Sequence, residues 1–204
     1  MKKVSNKYLI IITILICLFL ELCIHVYGSH VFNIDNSIYN FISKYFIRNN
    51  ITSLMKLITY FGNQLLFVIT IVILIMSKNK KISYSIIINL ICSFSVNQVV
   101  KFIIRRNRPN INRIVSASGF SFPSGHSMVS FAYYGYLIYL VNKYVKDKNK
   151  RITYTILLSL LIFFIGFSRI YLGVHYFTDV IGGYLFALIY LLIYVNIING
   201  YLDK

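Results

Sequence analysis

Six stretches of this chain are apolar over a length close to the ~20 residues that a helix needs to cross a bilayer. They run Tyr8–Tyr27, Leu57–Met76, Ile82–Ile104, Ser127–Tyr144, Ile152–Phe167 and Asp179–Ile198, and the fifth is the shortest. Lipid offers no partner to a backbone N–H or C=O, so a segment immersed in it must satisfy its own polar groups as a helix. The expectation is an all-α polytopic membrane protein: a six-transmembrane-helix bundle in a single domain covering 1–204. With 58% hydrophobic and 13% charged residues, the chain is too apolar for intrinsic disorder and too poor in charge for an ordinary soluble domain. Lys2 and Lys3 precede the first stretch as they would in a signal peptide. The stretch is long, however, and shows no small-residue cleavage site, so it reads as a retained helix.

Charge is lopsided, with 21 Lys and Arg against 5 Asp and Glu and a net charge of +16. In a soluble protein this would suggest nucleic acid. In a membrane chain, basic residues anchor helix ends on the cytoplasmic side and bind anionic substrates, so no nucleic-acid partner is expected. An even number of spans puts both termini on one side. That side carries Lys2, Lys3, Lys7, Lys78, Lys80, Lys81, the run Lys143–Arg151 and Lys204, and the positive-inside rule makes it cytoplasmic. The cations of the outer side are concentrated between Lys101 and Arg113, a local excess that calls for its own explanation. Segment Val31–Asn50 places Ile34, Ile38, Phe41, Ile42, Tyr45 and Phe46 at helical spacing. It reads equally as an amphipathic helix at the outer interface or as an ordinary packed loop helix. Cys17, Cys23 and Cys92 lie in apolar runs without CxxC spacing, which argues against disulfides or zinc. The few acids form no cluster able to hold a divalent metal through oxygen; no cofactor is expected.

Three groups of residues carry chemistry. In Lys101-Phe-Ile-Ile-Arg-Arg-Asn-Arg108-Pro109 the two outer cations are seven apart. At ~100° per residue they share a helix face, and Pro109 marks the exit into a loop. In Phe122-Pro123-Ser124-Gly125-His126, Ser124 suits an N-cap. A helix starting there aims free amides at the outer surface, a geometry that binds phosphate, with His126 in its first turn as a proton donor. In Ser168-Arg169-Ile-Tyr-Leu-Gly-Val-His175-Tyr-Phe-Thr-Asp179 the histidine and the carboxylate form an i,i+4 pair. A carboxylate on one ring nitrogen leaves the other free to attack, and Arg169 adds a planar fork for phosphate oxygens. All three groups fall at helix ends on the same expected outer side. Cations and amides would neutralise a phosphoryl group, one histidine would attack, and the other would protonate the leaving oxygen, with no metal required.

These residues resemble the type 2 phosphatidic acid phosphatase (PAP2) family, the membrane lipid phosphate phosphatases. The family's signature is K-x6-RP, PSGH and SR-x5-H-x3-D. It is matched at every fixed position by Lys101, Arg108 and Pro109, by Pro123 to His126, and by Ser168, Arg169, His175 and Asp179, within a motif core of 101–179. The resemblance implies a six-helix bundle with an outer-facing pocket and His175 as a nucleophile that forms a phosphohistidine. It implies Asp179 as the residue orienting His175, and His126 as general acid and then as base for water. Lys101, Arg108, Ser124, Gly125 and Arg169 would hold the phosphoryl oxygens. Arg105, Arg106 and Arg113 are open between a second phosphate site and collar charges. The substrate implied is a lipid phosphate or polyprenyl diphosphate drawn from the membrane lipids around the protein. Undecaprenyl diphosphate leads, on the outer-facing site, the compact size, the extra arginines and the similarity to small bacterial members. Phosphatidylglycerol phosphate and phosphatidic acid follow. An anion transporter and a non-catalytic lipid-binding scaffold are the readings from other classes. Oligomeric state is not legible.

Overall fold

The computed structural model describes residues 6–111 and 113–203. Lys2, Lys3 and Lys204, three of the cations used to orient the chain, lie outside the described residues. The elements are α1 (Asn6–Val26), a 3₁₀ turn (Tyr27–Ser29), α2 (Asn33–Tyr45), α3 (Asn49–Tyr60), α4 (Gln64–Met76), α5 (Lys80–Ile104), α6 (Gly125–Tyr144), α7 (Lys148–Tyr171) and α8 (Phe177–Leu202). No strand occurs among the described residues.

Four of these helices, α1, α5, α7 and α8, are long and apolar enough to cross a membrane, and α3 with α4 makes a fifth if the pair is one span. The second apolar stretch is therefore not the straight helix expected. It breaks at Phe61-Gly62-Asn63, and the axes on either side differ by 46°. The fifth stretch gains a turn at each end, because Asp147 caps α7 by accepting from the Lys150 amide and the helix runs on through Arg169. Segment Val31–Asn50 is not one helix either: α2 ends at Tyr45 and α3 begins at Asn49.

Helix α6 packs against α5, α7 and α8. Most of its surface meets protein, including the buried Ser127, Ser130, Tyr133 and Tyr136. Lipid tails are as apolar as leucine, so helices in a membrane associate through close packing and interhelical hydrogen bonds, each worth roughly 0.6 kcal/mol on average. The α5–α6 seam shows both. Ser85, Asn89, Ser93, Asn97 and Lys101 recur every four residues along α5, and the first four are fully buried. Tyr136 donates to Ser85 Oγ at 2.7 Å, Asn89 Nδ2 to the Ala132 carbonyl at 3.3 Å, and Lys101 Nζ to the Phe120 carbonyl at 2.7 Å. The seam thus runs antiparallel in step, and its upper end delivers Lys101 to the loop that precedes α6. Helix α8 joins it through Tyr190, which donates to the Asn89 carbonyl at 3.2 Å. At its N-terminal end α8 comes close to α6 at Gly183, where a Cβ would stand 3.0 Å from the Ser124 carbonyl.

Outward faces are apolar: Leu9, Ile10 and Ile14 on α1, Val68, Ile71 and Ile75 on α4, and Leu157, Leu160 and Phe163 on α7 are all exposed. Helices α2 and α3 rest on the ends of α7 and α8, where Ile42 and Met55 pack with Ile170, Leu172 and Val174.

Candidate active site

Four helix ends meet at one pole of the bundle: the C-terminal ends of α5 and α7 and the N-terminal ends of α6 and α8. Helix α5 stops at Ile104, and Arg105 takes the left-handed conformation (φ 53°). Lys101 and Arg108 therefore do not share a helix face as expected. Arg108 lies in the following loop and comes back toward Lys101 because its fork is held there: Nε donates to the Gly119 carbonyl at 3.0 Å, Nη2 to Ser118 O at 2.9 Å and Nη1 to Val174 O at 2.8 Å.

A cavity of about 640 Å³ opens at this pole. Lys101, Arg108, Gly125, His126, Arg169 and His175 line its polar part, and Leu66, Phe67, Phe94, Phe102 and Val129 line the rest. The two imidazoles thus share one chamber. Ser124 caps α6, its hydroxyl accepting from the Ser127 amide at 3.4 Å. Its own amide donates to the Asp179 carbonyl at 3.0 Å, and the residue is fully buried behind the wall rather than on it. The amides of Gly125 and His126, at the start of α6, have no carbonyl one turn earlier to bond to, and both residues line the cavity.

His175 is 3% exposed. It sits in the short link between α7 and α8 rather than within a helix as the i,i+4 spacing suggested. The link is shaped by the Arg169 carbonyl, which accepts from the Val174 and His175 amides at 3.2 and 3.3 Å, and by Gly173 at φ 72°. On one ring edge, Nδ1 faces Asp179 Oδ2 and Ser121 Oγ, each at 3.4 Å. On the other, Nε2 stands 3.1 Å from Arg108 Nη1. A guanidinium only donates, so Nε2 must accept and the proton belongs on Nδ1, toward the carboxylate. Burial, reinforced by Lys101, Arg169 and Arg108, holds the His175 pKa well below the ordinary histidine range, so the ring is neutral and its lone pair faces the cavity.

Asp179 is fixed from several sides. Oδ2 accepts from the Tyr176 amide at 2.9 Å and from the Ser121 hydroxyl, and Oδ1 pairs with Arg106 at 2.6 Å. Arg169, 5% exposed, donates to Thr59 Oγ1 across to α3, and its Nε has no partner among the described residues. The three arginines left open by the sequence do not line the cavity. Arg106 is fully buried between Asp35 and Asp179. Arg105 stacks on Phe102, its guanidinium 4.4 Å from the ring centre, and Arg113 donates twice to the Pro109 carbonyl. Among the described residues, no three His, Cys, Asp or Glu side chains gather as a metal-binding set.

Asp35, Ser121 and Asn97 belong to this pole and escaped the sequence reading. Asn97 lines the cavity, fully buried, with its Oδ1 unpartnered among the described residues. Its signal was the four-residue polar spacing of α5 that ends at Lys101. For Asp35 the signal was the scarcity of acids, since a lone carboxylate beside apolar positions needs a buried partner.

Residues 64–202 match the family model described as the PAP2 superfamily. The chain belongs to the PAP2 superfamily. Within it, this PAP2 chain is 41% identical over 96 residues to phosphatidylglycerophosphatase B of Bacillus subtilis (strain 168), an alignment covering 46% of this chain and 47% of that protein. It thus spans about half the length of that curated relative. In structure it is similar to a transmembrane PAP2-type phosphatidylglycerolphosphate phosphatase of Bacillus subtilis, with a TM-score of 0.77 and 28% identity over 95% of this chain and 96% of the other. The crystal structure of Aquifex aeolicus LpxE shares the fold, with a TM-score of 0.65 at 22% identity over 83% of this chain and 99% of that one.

Proposed function

We propose that this PAP2 protein is a membrane-embedded lipid phosphate phosphatase that works through a phosphohistidine. The observation that carries the reading is the neutral His175, whose Nε2 faces a chamber shared with His126 and lined by Lys101, Arg108 and Arg169.

The phosphoryl group sits among those three cations and the Gly125 amide, which neutralise its oxygens and the charge that develops on them. His126 takes up a proton as the anionic phosphoryl group enters among the cations; Nε2 of His175 then attacks phosphorus as the bond to the leaving oxygen breaks, and His126 delivers that proton to the leaving oxygen. The new imidazolium keeps its Nδ1 proton on Asp179, which stabilises it. His126, now neutral, takes a proton from water as the water oxygen attacks phosphorus. Phosphate leaves and His175 is restored. Ser124 contributes by capping α6 and so presenting the Gly125 amide. The steps use side chains and amides alone.

The apolar part of the cavity suits the tail of a lipid whose head enters the cationic part. Phosphatidylglycerol phosphate is the first substrate to expect, because the Bacillus subtilis relatives are phosphatases of that lipid. Undecaprenyl diphosphate is the second reading; its outer-facing site and compact bundle still favour it, but the inward Arg106 and the backbone-bound Arg113 remove much of the case for a second phosphate subsite. A phosphate-release assay on phosphatidylglycerol phosphate, undecaprenyl diphosphate and phosphatidic acid at matched surface concentration tests both readings. Release from none of them would overturn the function.

For topology, we infer six spans, with α3–α4 as one and α6 as the central one. Both termini are then cytoplasmic and the cavity faces outward. Support comes from Lys78, Lys80, Lys81 and the run Lys146–Arg151, which lie in the α4–α5 and α6–α7 links and the first turns of α5 and α7, at the pole opposite the cavity. The exposed Ile34, Phe41 and Tyr45 on α2 fit a helix at the outer interface.

A further inference from the structure

Arg106 is a fully buried guanidinium held between two fully buried carboxylates that are far apart in sequence. Its Nη1 donates to Asp179 Oδ1 at 2.6 Å and to Thr178 Oγ1 at 2.7 Å. Its Nη2 donates to Asp35 Oδ2 at 2.9 Å and to the His30 carbonyl at 2.7 Å. The flat face lies 4.2 Å from the centre of the Tyr176 ring. Asp35 is bound in turn to the start of α8, accepting from the Thr178 amide at 2.9 Å and from the Thr178 hydroxyl at 2.9 Å.

We propose that Asp35 and Arg106 are positioning residues for the His175–Asp179 pair: Arg106 aims the Asp179 carboxylate, and Asp35 shares the charge of Arg106 so that Asp179 keeps its own for His175. This rests on the phosphohistidine reading above. The reasoning is electrostatic. Attack by His175 creates an imidazolium, and the charges facing it across the cavity, Lys101, Arg108 and Arg169, are all positive. Asp179 is the anion in contact with the ring, and its remaining partners, Ser121 and the Tyr176 amide, are neutral. A guanidinium devoted to Asp179 alone would cancel that charge where the reaction needs it. With Asp35 on its other nitrogen, Arg106 is shared between two carboxylates, and the cluster of three keeps one net negative charge beside His175. Of the other acids, Glu21 is exposed on α1, Asp147 caps α7 at the opposite pole and Asp203 pairs with Lys143 at the far end of α8, so none of the three replaces Asp35. Its place on α2 also ties that helix to the reaction centre.

The test is a double-mutant cycle on the full-length protein in detergent, read as kcat and KM for phosphate release. Asp35→Asn is expected to lower kcat about 10- to 100-fold with KM within about twofold, the pattern of a loss felt in the transition state. In an Asp179→Asn background the same change should cost less than about twofold, because the carboxylate it serves is already gone. An equal loss in both backgrounds, or no loss in either, overturns the proposal. Should Asp35→Asn fail to fold, Arg106→Lys takes its place in the cycle, since one ammonium keeps the charge but cannot bridge both carboxylates. If the wild-type protein releases phosphate from no lipid, the functional reading fails by itself. The clamp is then judged by the His175 ring-nitrogen resonances of 15N-histidine-labelled protein, which report its bond to Asp179. They should move in Asp35→Asn, and unchanged resonances overturn the clamp.

Discussion

Arg108 Nη1 stands 3.1 Å from Nε2 of His175, so a group that can only donate faces the nitrogen proposed to attack. The contact fixes the tautomer and helps keep the ring neutral. It also places the guanidinium where it can pass to a phosphoryl oxygen as the substrate displaces it from the lone pair. Replacing Arg108 with Gln should therefore raise KM and also raise the His175 pKa, since one of the cations that depress it is gone.

The pH dependence follows with its sign. The neutral ring is the proposed nucleophile, and a depressed pKa preserves that form as pH falls. The acid limb of kcat/KM assigned to His175 should lie well below the ordinary histidine value of about 6.5. In Arg108→Gln it should move up toward that value. A wild-type limb at the ordinary value would contradict the buried, cation-surrounded environment.

His175→Ala should lower turnover by about 10⁴-fold or more, as expected for loss of a nucleophile. His126→Ala should separate the two half-reactions. With p-nitrophenyl phosphate, whose leaving group needs little protonation, the variant should show a burst of nitrophenol near one per enzyme and then stall as phosphohistidine. With a lipid substrate there should be no burst.

Vanadate, which mimics the five-coordinate phosphoryl group, should inhibit competitively, and EDTA should leave turnover unchanged. Activity abolished by EDTA and restored by Mg²⁺ would contradict a site whose charged lining is cationic.

Gly183→Ala would set a Cβ 3.0 Å from the Ser124 carbonyl and 3.2 Å from the Met128 amide. Backbone cannot yield as a side-chain tip can, so α6 must shift. A cost of roughly 1–3 kcal/mol is typical of overpacking, and the shift should also move the Gly125 amide and His126 off the cavity. Thermal unfolding in detergent and kcat, measured on one preparation, should fall together.

Orientation is checked by a single cysteine at Ser116 or Ser118 in a background lacking Cys17, Cys23 and Cys92. An impermeant thiol reagent should label it in intact cells. Labelling only after permeabilisation would invert the proposed topology.

Much of the site was legible because its residues come in local groups. Ser124 and His126 announce a helix start within five residues, and His175 and Asp179 are four apart. The geometry inside those groups was less legible. Lys101 and Arg108 were expected on one helix face, yet Arg105 ends α5 and loop carbonyls return Arg108 to the cavity. Ser124, expected on phosphate, is turned away by its own capping bond.

Residue type and spacing by themselves determined the membrane class, the helical architecture and the three motifs, because burial in lipid and helix capping act over a few residues at a time. Only the tertiary structure decided the break between α3 and α4, the central place of α6, and the burial of Arg106 between Asp35 and Asp179. Ion pairing depends on distance through space, and nothing in a one-dimensional pattern records which of two distant carboxylates a guanidinium will reach.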